Sequence, residues 1–197
     1  MAQTISRVFS LLVIAASLIY VAACDREKPT SVRITPGPSF ALAGSGRLAS
    51  FTVSAPQLGQ KIAVPCNMRL FPCAGVALVA WQIRASKGYE QGAAVQGLQV
   101  LYGKIPEGYI QAVPNQLEPA PSLTSGIIYG FSAETTDAPP KSGYFYMSRS
   151  GPIQVEFPDL CLTLINGEEV RVKCGTSQPY QEPTNLEQFA DEHRATR

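Results

Sequence analysis

The sequence has little histidine and no excess of charge of either sign. His193 is the only histidine among 197 residues and lies near the C-terminus, which argues against enzymes that use an imidazole to activate a serine or cysteine. Lys and Arg number 16 against 15 Asp and Glu, and the first 23 residues hold only one of these charges, Arg7. A neutral body offers no electrostatic surface for nucleic acid and no polybasic patch for anionic lipids.

Several motifs with specific chemistry are also missing. No two cysteines have the C-x₂₋₄-C spacing of a zinc site or the C-x-x-C spacing of a redox pair, and no calcium-loop pattern occurs. The Ser-x-x-Lys, G-x-S-x-G and phosphate-loop patterns are absent as well. We therefore predict no metal, no cofactor and no catalytic residues.

The longest apolar run lies close to the N-terminus. Residues 8–23, VFSLLVIAASLIYVAA, follow Arg7 and contain no charge. A permanent membrane span needs about 20 apolar residues, so this shorter run is more typical of an export signal. The run ends in Val21-Ala22-Ala23-Cys24, an aliphatic residue and two small residues before a cysteine. This segment resembles the lipobox of bacterial lipoproteins.

The lipobox resemblance implies a lipid anchor on Cys24. In that family the signal, here residues 1–23, is removed and the cysteine sulfur carries a diacylglyceryl group. The protein would then be held on a membrane of the cell envelope and face the periplasm or the exterior. Residues 24–38 would be the lipidated cysteine and a tether, and Asp25 resembles the inner-membrane retention signal of enteric lipoproteins. An ordinary secretory signal with a coincidental cysteine is the alternative.

Four cysteines follow Cys24, an even number that favours two disulfides in an exported protein. They are Cys66, Cys73, Cys161 and Cys174. Three pairings are formally possible, and proximity along the chain favours the first with the second and the third with the fourth.

The last two cysteines flank a predicted hairpin, CLTLINGEEVRVKC, with an Asn-Gly turn signal. A four-residue loop over 166–169 would place Cys161 directly opposite Cys174, whereas a two-residue loop would place it opposite Val172. Because directly opposed residues approach disulfide range, we expect the four-residue loop.

Alternation of apolar and polar residues with a period of two runs through the middle of the chain. It is clearest in residues 49–54, 79–84, 98–102, 127–134 and 153–157, after a first short strand at 31–34. Gly, Pro and Asn separate these segments, and no helical pattern occurs before the last fifteen residues. Since a parallel sheet needs crossover helices, we predict an all-β fold. It would be an antiparallel β-sandwich over residues 39–175, with immunoglobulin-like or related architecture.

The tail, residues 176–197, contains one short helix signal. Thr184-Asn185-Leu186-Glu187 matches a capping box that begins at Thr184, and Leu186, Phe189 and Ala190 would share one side of the helix. A helix of about ten residues is marginal alone, so we expect a frayed terminus. Docking of the helix on the sandwich or on a partner is the alternative.

Aromatic residues cluster in the middle third of the chain. Tyrosines on a sandwich can stack on sugars or anchor a protein partner, which makes Tyr109, Tyr144 and Tyr146 candidate binding residues. Tyr144 and Tyr146 would share one face of a strand and Phe145 the other. Packing within the protein is the competing explanation, and the one that we favour.

Paired carboxylates could support glycoside hydrolysis. The nominal pairs are Glu134 with Asp137 and Glu168 with Glu169. Both pairs lie in predicted turns, where carboxylates are usually solvated.

The sequence therefore predicts an exported, lipid-anchored cell-envelope protein that acts as a non-catalytic binding or structural module. Its partner would be a glycan or an envelope protein. A glycan-acting envelope hydrolase with a carboxylate pair is the alternative function. A third hypothesis is a module that joins a larger envelope complex through residues 185–194.

Overall fold

The computed structural model describes residues 28–57, 60–63, 77–136, 138–158, 160–181 and 183–195. These residues form β-strands, one 3₁₀ turn at Tyr89–Gln91 and one α-helix, α1 (Leu186–Glu192). The strands are β1 (Ser31–Thr35), β2 (Ser39–Ala43), β3 (Leu48–Ala55), β4 (Leu78–Ala85), β5 (Gln99–Leu101), β6 (Tyr109–Val113), β7 (Ile127–Thr135), β8 (Lys141–Ser148), β9 (Gly151–Val155), β10 (Leu160–Ile165) and β11 (Glu168–Lys173). None of the described residues form a helix with the length and apolar character that a membrane span requires.

Two antiparallel sheets form the body of the protein. The smaller sheet has the strand order β1-β2-β5, and the larger has the order β6-β4-β3-β7-β8-β9. Strands β10 and β11 form a separate two-stranded hairpin. The predicted all-β antiparallel sandwich with a short C-terminal helix is therefore confirmed.

The main core lies between the two sheets. Alternate residues of each strand point into it, because successive side chains of a strand face opposite sides. Phe40 of the smaller sheet contacts Phe51, Phe131 and Phe145 of the larger sheet, with ring centroids 4.7, 5.7 and 5.7 Å away. Trp81 is fully buried beside Phe51, at a centroid distance of 6.5 Å. These aromatic contacts join the sheets.

Gln111 on β6 is a buried polar residue at the edge of this core. Its Oε1 accepts a hydrogen bond from Trp81 Nε1 at 3.0 Å. Its Nε2 donates to the carbonyl oxygens of Pro114, Asn115 and Glu118 at 3.2, 3.2 and 2.7 Å. Both polar atoms of the amide thus have partners, as burial requires, and the side chain fixes the loop after β6 to the core.

A second, smaller core lies on the opposite face of the larger sheet. There Ile128, Tyr146 and Val155 are covered by the apolar side of α1, which consists of Leu186, Phe189 and Ala190. The predicted apolar side of the helix is confirmed. The expected frayed terminus is wrong, because this sheet face is apolar and supplies the packing that a seven-residue helix lacks alone.

Asn185, and not Thr184, is the N-cap of α1. The Asn185 side-chain oxygen accepts hydrogen bonds from the backbone N–H groups of Glu187 and Gln188, both at 3.2 Å. The capping box predicted from Thr184 is therefore displaced by one residue. Asparagine and threonine are both good N-caps, so the sequence pattern alone does not decide between adjacent positions.

The β10–β11 hairpin has a two-residue loop. Cys161 pairs with Val172 across the strands, so the expected four-residue loop is wrong. Asn166 and Gly167 both have positive φ, 55° and 85°, as a type I′ turn requires, and this turn matches the twist of the flanking strands.

The disulfide between Cys161 and Cys174 is nevertheless confirmed, with the Cα atoms 5.0 Å apart. Cys174 follows the last residue of β11, where the ladder no longer holds the chain, and it reaches Cys161 diagonally. Cys24, Cys66 and Cys73 lie outside the described residues.

Candidate functional site

A groove runs between β1 and β9, which are edge strands of the two sheets. We call it the β1–β9 groove; its cavity volume is about 780 Å³. Three segments line it: residues 31–36 around β1, residues 152–154 and 156 around β9, and residues 194–195 after the helix. The fold thus brings distant parts of the chain together where the sheets do not join.

Gln154 of β9 bridges the two sheets inside this groove. Its Oε1 accepts a hydrogen bond from the backbone N–H of Ile34 at 3.1 Å. Its Nε2 donates to the backbone carbonyl of Val32 at 3.3 Å. The side-chain amide therefore pairs with β1 as one residue of a neighbouring strand would, and it satisfies polar groups that an edge strand leaves open.

The segment after α1 forms an isolated antiparallel β-bridge with the free edge of β9. The backbone N–H of Glu156 donates to the carbonyl of His193 at 2.9 Å, and the N–H of Ala195 donates to the carbonyl of Gln154 at 3.0 Å. Val155 and Arg194 form the antiparallel bridge between these bonds. Docking of α1 delivers this segment to the groove.

Exposed charged side chains stand along the groove: Arg33, Glu156 and Arg194. Arg194 Nη2 lies 3.2 Å from Asp191 Oδ1, but the two side chains are 58% and 62% exposed, so the pair adds little stability. Within the described part of the chain, Arg33 makes no ion pair. Arg33 is therefore the guanidinium group that would recognise an anionic group, since Arg binds carboxylates through paired hydrogen bonds.

The hydroxyl groups of the groove are engaged with the backbone. Ser31 Oγ donates to the carbonyl of Ala43 at 3.5 Å, and Thr35 Oγ1 donates to the carbonyl of Ser39 at 3.2 Å. Both bonds cross to β2. What the groove offers a ligand is therefore its charged side chains.

His193 lies at the end of α1. Its Nδ1 is 3.1 Å from the carbonyl oxygen of Phe189, and the two rings stack with centroids 4.2 Å apart. Among the described residues no three His, Cys, Asp or Glu side chains are grouped as metal ligands would be.

Tyr109, a candidate binding residue, is buried in the main core. Its hydroxyl donates to the carbonyl of Leu48 at 2.7 Å and accepts from the N–H of Ala93 at 2.9 Å. Burial raises its pKa above the usual value. Beside it, a Cβ at Gly92 would collide with the Leu48 carbonyl, so only glycine allows the chain to approach here. Tyr109 therefore fastens the 92–95 loop to β3 and presents no surface to a ligand.

Tyr146 and Tyr144 are packing residues on the other face of the larger sheet. Tyr146 is buried beneath α1, and Tyr144 packs edge-on against Phe157 at a ring distance of 4.7 Å. Burial, helped by the neighbouring Tyr180, raises the pKa of Tyr144 to about 12. Phe145 points into the main core, which gives the predicted division of faces. Since Tyr109 belongs to the main core, the three tyrosines share no site.

Of the nominal carboxylates, the structure describes the side chains of Glu134 and Glu168, which lie in different sheets. Glu134 lies within β7, not in a turn, and its exposed carboxylate accepts a hydrogen bond from Ser50 Oγ at 2.7 Å. Glu168 is the first residue of β11, in a different sheet. Of the other two residues, Asp137 lies outside the described residues, and Glu169 is placed only as the backbone neighbour of Glu168 in β11.

The sequence pattern does not identify the residues that build the groove. Gln154 occupies an ordinary polar position of an alternating strand, and Arg33 occupies another. Arg194 lies in the tail, which the sequence predicts to be frayed, with docking on the sandwich as the alternative. The one local signal for the groove is a glutamine flanked by apolar residues on a predicted strand. Many exposed strand residues have the same pattern, so it does not identify Gln154 as part of a site.

Comparison of the chain with protein-family models, with curated proteins and with solved structures gives no match.

Proposed function

We propose that the protein is exported and lipid-anchored in the bacterial cell envelope, where it acts as a non-catalytic binding or structural module. The observation that carries this proposal is the lipobox, Val21-Ala22-Ala23-Cys24, at the end of an uncharged apolar run. Two or three acyl chains at about 0.8 kcal/mol per buried CH₂ would hold the protein on the membrane almost permanently. The neutral body supplies no alternative electrostatic attachment.

The disulfide between Cys161 and Cys174 supports export. Disulfides form and persist in oxidising compartments such as the bacterial periplasm, and they are rare in the cytosol. The bridge closes a hairpin that joins neither sheet of the sandwich, so it stabilises an element with little core of its own.

The β1–β9 groove supports a binding role. It presents the exposed Arg33, which makes no ion pair among the described residues, with Arg194 and Glu156 nearby. Such a groove fits an extended ligand that carries an anionic group, which both an acidic segment of an envelope protein and an acidic glycan provide.

Replacing Cys24 with serine tests the anchor. The expected result is transfer of the protein from the membrane fraction to the soluble fraction, together with loss of acyl labelling by radioactive palmitate. The matched control is the double replacement of Cys161 and Cys174 by serine, which also removes thiol sulfur but should leave the protein acylated and on the membrane.

Retention of the Cys24→Ser protein in the membrane fraction would refute the lipid anchor. Acyl labelling that disappears in the double variant but persists in Cys24→Ser would also refute it, because the acylated cysteine would then be a different one.

A further inference from the structure

The first described residues are fixed to the sandwich. The carbonyl oxygen of Lys28 accepts hydrogen bonds from both the backbone N–H and the Oγ of Ser45, each at 3.0 Å. Thr30 is buried, and its Oγ1 lies 3.3 Å from Oγ1 of Thr135 at the end of β7. A Cβ at Gly44 would meet the carbonyl oxygen of Pro29 at 2.8 Å, which shows how closely the segments pack. The chain is therefore tied to one end of the sandwich from Lys28 onwards.

Only residues 25–27 separate Cys24 from this fixed point. Consecutive Cα atoms are about 3.8 Å apart, so the four steps from Cys24 to Lys28 span at most about 15 Å. An acyl group on Cys24 places that residue at the membrane surface. The end of the sandwich that carries Lys28 must then lie within this short distance of the lipid headgroups.

We infer that the sandwich stands end-on on the membrane, with the end formed by Lys28, Ser45, Arg47 and Lys141 against the headgroups; this inference rests on the proposed lipid anchor. Backbone pairing defines that end. The backbone N–H of Thr136, just after β7, donates to the carbonyl of Arg47 at 3.0 Å, and the N–H of Arg47 donates to Thr136 Oγ1 at 3.4 Å. Lys141 pairs with Ala133 near the end of β7.

Tether length, and not charge, determines this orientation. Lys28 and Lys141 are exposed and suit anionic headgroups, but Arg47 Nη1 donates to the carbonyl of Gly92 at 3.0 Å, and the exposed carboxylate of Glu134 lies near the same end of β7. The orientation has a functional consequence. The β1–β9 groove runs along the side of the sandwich and stays open, and the far end, with Arg149 after β8, faces away from the membrane.

Lys141 and Arg149 provide a matched pair of probe positions. Lys141 is the first residue of β8, Arg149 follows its last residue, and both are exposed and carry the same charge. Eight strand residues at about 3.3 Å each separate the two positions by roughly 26 Å. A fluorescent non-canonical amino acid replaces one residue at a time, which leaves every cysteine unmodified. The acylated protein, purified from membranes, is reconstituted into phosphatidylethanolamine and phosphatidylglycerol vesicles that contain a lipid with a nitroxide on its headgroup.

The expected result is strong quenching of a probe at position 141 and little quenching of a probe at position 149. A second protein with ten Gly and Ser residues inserted after residue 26 should lose the quenching at position 141, because its tether no longer holds the end down. Equal quenching at both positions, or stronger quenching at 149, would overturn the orientation. If quenching at position 141 persists in the protein with the insertion, tether length does not fix the orientation, and the inference is overturned. A protein that does not bind to the vesicles at all would refute the proposed lipid anchor, and this outcome is distinct from failure of the orientation.

Discussion

Replacing Tyr109 with phenylalanine separates a packing role for this residue from a binding role. The substitution keeps the ring in the main core and removes only the hydroxyl, which bonds the Leu48 carbonyl at 2.7 Å and the Ala93 N–H at 2.9 Å. A hydrogen bond contributes about 1 kcal/mol net, and a buried donor left without an acceptor costs about 1–3 kcal/mol. We therefore expect the free energy of unfolding to fall by about 2–3 kcal/mol.

Urea denaturation measures this change directly. Trp81 is the only tryptophan and is fully buried, so its emission reports unfolding of the core. For a chain of this size, the expected loss corresponds to a melting temperature lower by roughly 4–12 °C. Tyr129→Phe is the matched control, because the Tyr129 hydroxyl accepts a single bond, from the N–H of Thr124 at 2.8 Å. It should cost about half as much. A Tyr109→Phe protein within about 0.5 kcal/mol of the wild type would refute the packing role.

Two further predictions concern the docked helix and the buried phenols. Phe189→Ala should destabilise docking of α1 by about 3 kcal/mol, because the buried ring is lost. Hydrogen exchange should become faster in residues 186–195 and change little in β3 and β7. The exposed Gln188→Ala is the control, and unchanged exchange in Phe189→Ala would contradict the docking. Burial raises the pKa of Tyr102 and Tyr144 from 10.0 to about 12, so the folded state holds these protons more tightly than the unfolded state does. The contribution of these two tyrosines to stability is complete below pH 10 and is lost as the pH rises towards 12. The test is a titration of tyrosinate absorbance in the folded protein. Ionisation of every tyrosine near pH 10 would contradict the raised pKa values.

Local alternation predicts much of the fold. The segments at 31–34, 49–54, 79–84, 98–102, 127–134 and 153–157 correspond to β1, β3, β4, β5, β7 and β9. β2 and β6 are less evident, because five-residue strands that contain alanine or follow a Pro-Glu-Gly turn carry few alternating positions. The pairing of strands lies beyond the pattern altogether, since β3 pairs with β7 and β6 with β4 across long stretches of chain.

The hairpin shows where two local rules compete. Direct opposition of Cys161 and Cys174 predicts a four-residue loop, whereas Asn166-Gly167 predicts a two-residue loop. The turn residues determine the register in the structure, because both adopt positive φ. The disulfide accommodates this register diagonally, so the predicted bond is present although the predicted geometry is wrong.

The candidate site could not be predicted from local pattern. Gln154 reaches backbone groups 120 and 122 residues earlier, and residues 193–195 reach β9 only after α1 has docked. A tyrosine cluster is a stronger sequence signal than a glutamine or an arginine, yet Tyr109 and Tyr146 are buried in different cores. Exposure is a property of the assembled sheets and is not encoded by any one segment.

The β-bridge between β9 and residues 193–195 has a consequence for the order in which the molecule folds. These residues are the last described part of the chain to be synthesised, and they cover the free edge of β9 beside the groove. A nascent chain can therefore pair β3, β4, β7 and β8 while that edge is still bare and open to a strand from a neighbouring molecule. The edge of β9 is covered only after residues 193–195 have been synthesised. A truncation before residue 193 would therefore leave the edge of β9 permanently unpaired and prone to aggregation.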